Sequence, residues 1–163
     1  ALLYQNIQLL LMCYNIQERY ALAKKLKRVC QDKSLLLIIA EDARLAESVG
    51  AAGLHLPEWA VTRPQPGHRR WCRLSNRILT AAVHSSQALQ KAQKMNVDAV
   101  LASPVFPTSS HPDRAATGVS GFARQSRSAL VPVIALGGVT EVTAPRLIGT
   151  SCAGLAAIGS LSR

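Results

Sequence analysis

The sequence predicts an α/β fold with a parallel sheet, of the (β/α)₈ TIM-barrel kind. Three observations lead there. Short, near-continuous apolar runs recur along the chain, amphipathic segments separate many of them, and the last two runs both end in glycine turns. Strands buried on both faces of a parallel sheet look like such runs, whereas half-exposed strands alternate. Strand and helix in alternation favour parallel pairing.

The runs come in order as IQLLLM (7–12), LLLIIA (35–40), AGLHL (52–56), ILTAAV (78–83), DAVLAS (98–103), PVIALG (132–137) and AGLAAI (153–158). Between the first two, residues 16–30 gather Ile16, Tyr20, Ala23, Leu26 and Cys30 on one side of a helix, with Lys24, Lys25, Lys27 and Arg28 largely elsewhere. Residues 43–49 form a shorter helix, with Asp42 placed to cap it. Residues 85–95 open on serines that suit an N-cap. A further helix is expected from about 120 to 130, and a short one over 141–148. Seven strands fit an open doubly wound sheet or a barrel. No GxGxxG fingerprint supports the open sheet. The closing segments ALGGVT (135–140) and AAIGSL (156–161) favour the barrel, where loops after the last strands often hold phosphate on backbone N–H groups.

Composition limits the classes of function. The 163 residues are 48% hydrophobic and 17% charged, enough for one domain with a substantial core, read here as spanning 1–163. Aromatics are only 4%, so that core is aliphatic. The formal net charge of +10 favours anionic partners, phosphorylated metabolites among them. The densest basic cluster is Arg63, His68, Arg69, Arg70, Arg73 and Arg77. It lacks interleaved aromatic platforms and any zinc-finger or RNA-recognition signature, so nucleic acid is not an expected partner. Cys13, Cys30, Cys72 and Cys152 form no CxxC pair, which points to reduced thiols in a cytoplasmic protein and away from zinc. The opening ALLYQNIQLLLMC is too short and too polar to span a membrane, and no membrane partner is expected.

In a barrel, chemistry gathers at the C-terminal ends of the strands. The first run is followed by Cys13, Tyr14 and Asn15, which offer little charge. Glu41 and Asp42 follow the second run, and a carboxylate there could hold Mg²⁺. Pro57, Glu58 and Trp59 follow the third. His55 lies inside that run and reads as a hydrogen-bonded core residue. His84 ends the fourth run, a better position for general acid–base work because imidazole titrates near neutrality. After the fifth comes SPVFPTSSHPDRAATG (103–118), where Thr108, Ser109 and Ser110 supply donors and His111 can carry charge. Loops this long are usually either functional or disordered. Gly137 and Gly138 let backbone approach an anion closely. Spacing alone assembles neither a Ser–His–Asp or Cys–His set nor a metal cluster.

Five segments in register, IIAEDARLAESVGAAGLHLPE, AAVHSSQAL, DAVLASPVFPTSSHPD, VPVIALGGVT and AGLAAIGSL, resemble the thiamine phosphate synthase/TenI family over about residues 7–161. The resemblance implies a (β/α)₈ barrel in which IQLLLM is the second strand, so that the first strand and last helix are absent from this chain. It implies a role in thiamine biosynthesis: joining hydroxymethylpyrimidine diphosphate to thiazole phosphate with Mg²⁺. It places the substrate-binding hydroxyl loop on Pro107, Thr108, Ser109 and Ser110, phosphate contacts on Gly138 and its neighbour Gly137, and the last backbone contact on Ile158 and Gly159. The family's Q-x-R-x-K strand end falls on Gln8 to Met12, which keeps the glutamine but puts Leu10 and Met12 where cations belong. Its Asn-Asp pair falls on Ala40 and Glu41, its second Mg²⁺ aspartate on Ala60, its pyrimidine-side serine on Ala82 and its loop lysine on His111. The diphosphate and Mg²⁺ side is thus expected to be degraded, since leaving-group stabilisation needs fixed cations. TenI-type members instead tautomerise a thiazole carboxylate phosphate. Their catalytic histidine matches His84 in Val83-His84-Ser85. A phosphate-binding protein without turnover is the third reading. The sequence leaves the oligomeric state open, a homo-oligomer included.

Overall fold

The computed structural model describes residues 8–11, 16–71, 76–110 and 114–158. All seven expected strands form: β1 (Gln8–Leu11), β2 (Leu36–Ala40), β3 (Gly53–Leu56), β4 (Ile78–Val83), β5 (Ala99–Ala102), β6 (Val133–Ala135) and β7 (Gly154–Leu155). The α-helices are α1 (Ile16–Asp32), α2 (Ala43–Ser48), α3 (Glu58–Thr62), α4 (Pro66–Trp71), α5 (Ser86–Lys94) and α6 (Gly118–Ser128). The chain divides into two compact units, Ala1–Thr80 and Ala81–Arg163, with the boundary inside β4.

In the first unit β1, β2 and β3 pair in parallel and in chain order, with Leu10 opposite Ile38 and Ile39 opposite Leu54. The apolar runs are buried as both-face strands should be: Leu37, Ile38, Ile39, Leu54 and Leu56 are at most 3% exposed. At about 25 cal/mol per Å² of apolar surface, burying each such side chain contributes roughly 1.5–3 kcal/mol. Helix α1 returns the chain from β1 to β2 and buries Ala23 and Cys30. Tyr20 departs from the expected apolar face. It is 46% exposed and carries the Lys24 ammonium over its ring at 4.6 Å. Arg19 takes an inward course instead, donating from its guanidinium to the carbonyl of Ala40 at the end of β2. Asp42 caps α2, its Oδ1 accepting from Leu45 N at 2.9 Å.

Helices α3 and α4 were not anticipated. Each is too short to show a 3.6-residue period, and prolines crowd the segment. Those prolines sit where helices tolerate them: Pro57 at the N-cap of α3 and Pro66 at the first position of α4. Three members of the basic cluster make tertiary contacts. His68 is buried, Arg70 pairs with Glu47 at 3.4 Å, and Arg77 donates to Ala51 O at 2.6 Å while lying over Trp71.

In the second unit β5, β6 and β7 pair in parallel and in chain order, with Ala102 opposite Ala135 and Ala135 opposite Leu155. Ser85 caps α5 through Ala88 N at 3.1 Å, and Ala88, Leu89 and Ala92 form its buried stripe. Helix α6 begins two residues earlier than expected and buries Phe122, Ala123 and Ser126. The helix expected over 141–148 is a 3₁₀ turn, Ala144–Leu147. Pro145 has no N–H to give an α-helix, and the bonds Arg146 N to Thr143 O and Ile148 N to Pro145 O close three-residue steps. The last run is also less of a strand than its sequence suggests. Among the described residues the strand covers Gly154 and Leu155, flanked by bonds from Ala153 N to Val133 O and Ala156 N to Ala135 O, and Leu155 and Ile158 are 53% and 62% exposed.

Candidate active site

The sequence places its strongest site candidates after β4, β5 and β6, and all of these ends belong to the second unit. His84 is the first residue after β4. Its Nδ1 lies 2.6 Å from the carbonyl oxygen of Ser103 and 3.2 Å from Ser103 Oγ. A carbonyl can only accept, so Nδ1 carries the proton. In that tautomer Nε2 is the ring nitrogen without a proton. Ser103 is itself fixed by its N–H to Val83 O at 3.2 Å. Sequence reading did not pick out Ser103. The only signal was its place at the end of an apolar run beside proline.

The loop that starts at Ser103 is pinned at both ends. The Ser103–Pro104 peptide is cis. Thr117 N donates to Pro104 O and Gly118 N to Val105 O, both at 3.0 Å, tying the loop's exit to its entrance. Val105 N donates to Leu136 O at 2.9 Å and Phe106 N to Gly137 O at 3.0 Å, tying it to the end of β6. The Arg146 guanidinium stands 5.2 Å over the Phe106 ring. Beyond this base the loop presents Thr108, Ser109 and Ser110. Pro107, Thr108, Ser109, Arg114, Ala115 and Ala116 line a cavity of about 560 Å³.

Gly137 and Gly138 form the turn after β6 with φ of +89° and +63°, the left-handed region that favours glycine. Space demands glycine as well. A Cβ at Gly137 would lie 2.7 Å from Pro104 Cα, and one at Gly138 would lie 2.7 Å from Phe106 Cβ. Thr143 Oγ1 braces the turn by donating to Gly138 O at 2.8 Å. The glycines thus let the turn press against the hydroxyl loop, a requirement that stands whether or not an anion binds there. Ile158 lies past β7 and is exposed. His111 and Gly159 lie outside the described residues, as do Met12, Cys13, Tyr14, Asn15, Cys72 and Arg73.

The strand ends of the first unit are built differently. Gln8 is the first residue of β1, at the opposite end of that strand from Leu11. Glu41 follows β2 with φ of +68°, held there by its N–H to His55 O at 2.8 Å and by its carbonyl, which accepts from His68 Nε2 at 2.9 Å. His68 is 2% exposed, and its Nδ1 accepts from Gln65 N at 3.3 Å. His55 is buried with Nδ1 2.9 Å from Thr80 Oγ1, and burial lowers its pKa from 6.5 to about 4. It is the neutral core residue its position in the run suggested. Ala60 is fully buried in α3. Among the described residues no three His, Cys, Asp or Glu side chains come together to hold a metal ion. Cys30 and Cys152 are free thiols, and burial pushes the Cys30 thiol up, away from thiolate chemistry.

Parallel βα units with polar groups gathered after β4, β5 and β6 define a domain of the (β/α)₈-barrel class. Comparison with known proteins agrees. The native KDPGal structure shares the fold at 15% identity with a TM-score of 0.63, covering 94% of this chain and 68% of that one. The thiamine phosphate pyrophosphorylase of Pyrococcus furiosus aligns with a TM-score of 0.71 and 25% identity, covering 94% of this chain and 71% of the other. In sequence the chain is 30% identical over 148 residues to a thiamine-phosphate synthase of Anoxybacillus flavithermus, covering 90% of the chain and 66% of the relative. It is 31% identical over 152 residues to that of Lactiplantibacillus plantarum, covering 90% and 67%. The chain thus spans about two thirds of the length of these relatives. The family model for thiamine monophosphate synthase matches residues 7–161. The chain belongs to that family.

Proposed function

We propose that this chain acts in thiamine biosynthesis, in the cytoplasm, as a thiamine phosphate synthase-type domain. It binds thiazole phosphate at the strand ends of its second unit and, if active, couples it to hydroxymethylpyrimidine diphosphate with a degraded diphosphate and Mg²⁺ side. The observation that carries this reading is the hydroxyl loop after β5, bonded through Val105 N and Phe106 N to the glycine turn after β6. In family members the corresponding segments serve thiazole phosphate. Here Thr108, Ser109 and Ser110 donate hydrogen bonds to phosphate oxygens, and the backbone at Gly137, Gly138, Ile158 and Gly159 completes the grip. His111 supplies charge on the same loop. Incubating the protein with both substrates and Mg²⁺ tests the coupling: thiamine phosphate is the expected product, and its absence rejects a synthase.

A second reading is favoured by one specific observation. The Ser103 carbonyl fixes the orientation and tautomer of the His84 ring at the end of β4. Tautomerising a thiazole carboxylate phosphate needs proton transfer and a phosphate grip but no diphosphate clamp. Aromatisation of that substrate, lost in H84A, supports the tautomerase; unchanged activity in H84A rejects the role. Thiazole phosphate binding without either turnover identifies a binding protein.

A further inference from the structure

We propose that Arg114 is the principal cation of an anion subsite on the hydroxyl loop, one that takes the phosphate of a small phosphate monoester. The sequence reading passed over Arg114 and looked to His111 for charge. Arg114 lines the cavity of about 560 Å³ together with Thr108 and Ser109, so one basic and two hydroxyl-bearing residues border one space. Thr108 Oγ1 accepts from Ser110 N at 3.3 Å, which leaves its O–H proton to donate outward. Pro107, Ala115 and Ala116 give the cavity an apolar wall suited to the carbon portion of an ester.

Four other arginines are engaged elsewhere. Arg19 and Arg77 donate to backbone carbonyls, Arg70 pairs with Glu47, and Arg146 lies over Phe106. Arg114 is exposed, and among the described residues no carboxylate pairs with it. Its fork of N–H donors matches two phosphate oxygens at once, which a lysine point charge does not. The bonds that tie Thr117 to Pro104 and Gly118 to Val105 close the loop's base beneath the cavity.

This inference rests on the phosphate-binding reading of the loop, and the experiment separates the two. Calorimetric titrations with inorganic phosphate and with thiazole phosphate are compared for the unaltered protein, R114Q, R114K and R124Q, with circular dichroism as a folding control. R114Q is expected to weaken phosphate binding about ten- to a hundredfold, the usual loss for a charged hydrogen bond. R114K is expected to recover part of that loss, and R124Q, on α6, to bind as the unaltered protein does. Inorganic phosphate binding that is absent from the unaltered protein, or within twofold in R114Q, overturns the subsite. Thiazole phosphate binding that survives in R114Q leaves the functional reading standing without Arg114. Arg114-dependent binding of inorganic phosphate without binding of thiazole phosphate supports the subsite and rejects the functional reading.

Discussion

The two units carry histidines at or near their strand ends and use them differently. In the first unit His55 and His68 are buried, and their ring nitrogens are engaged with Thr80, Gln65 and the carbonyl of Glu41. They hold strands and a strained turn in place. In the second unit His84 is only half-buried, and the carbonyl of Ser103 orients its ring. The residue type is the same; burial and the identity of the partner decide its work. The neighbours follow suit. Buried Ala40 and Leu56 end β2 and β3, while Ser103, Thr108, Ser109 and the Gly137–Gly138 turn follow the strands of the second unit.

The largest effect should come from removing His84. On the tautomerase reading, H84A is expected to lower thiazole aromatisation about 10²–10⁴-fold, the usual share of a general acid–base group, with thiazole phosphate affinity nearly unchanged. Steady-state rates and a binding titration on the same preparation check both parts. His55→Gln should instead cost stability and leave the rate per folded molecule close to that of the unaltered protein. A large rate loss in H55Q at full folding would break the contrast between the units.

Next comes the glycine turn. Gly137→Ala places a methyl 2.7 Å from Pro104 Cα at φ +89°, and about 3 kcal/mol of stability should be lost. Gly149→Ala is the matched control. Its φ is +82° but nothing lies within 4 Å of the added carbon, so about 1 kcal/mol is expected from backbone strain alone. Urea denaturation of both variants separates contact from conformation, and equal losses would remove the packing role of the turn.

The pH dependence of stability sharpens the first unit's side of the contrast. The folded His55 has a pKa of about 4 against an ordinary 6.5, so between those values the unfolded chain binds the extra proton. This contribution to stability is fully present above pH 6.5 and is lost as pH falls toward 4, by up to about 3 kcal/mol. Denaturation curves across that window should flatten in H55Q. The smallest effect is expected from Asp42→Ala, which removes the cap of α2 and about 1 kcal/mol with it.

Much of this fold could be read before any coordinates. The runs that became β2, β3 and β5 were right because both of their faces are buried, so hydrophobicity alone marks them. The caps Asp42 and Ser85 were legible because capping is a local interaction. Helices α3 and α4 were missed because one or two turns show no period. The 3₁₀ turn at Ala144–Leu147 was misjudged because Pro145 was outweighed by its apolar neighbours. At the site, residue types were legible and pairings were not. His84 could be named from its place after a strand, but Ser103 is nineteen positions away and holds it through a backbone carbonyl, which no side-chain pattern encodes. Arg114 was hidden for a similar reason, since only the folded loop brings it to the cavity lined by Thr108 and Ser109.

The central claim is that ligand chemistry belongs to the second unit's strand ends while the first unit's histidines are structural. Titrating the ¹⁵N-labelled protein with thiazole phosphate and following its amide resonances tests this directly. The account predicts saturable shifts at His84, Ser103, Thr108, Ser109, Gly137 and Gly138, with Glu41, His55 and His68 unmoved. Shifts centred on Glu41, His55 and His68, or none at all at saturating ligand, would contradict it.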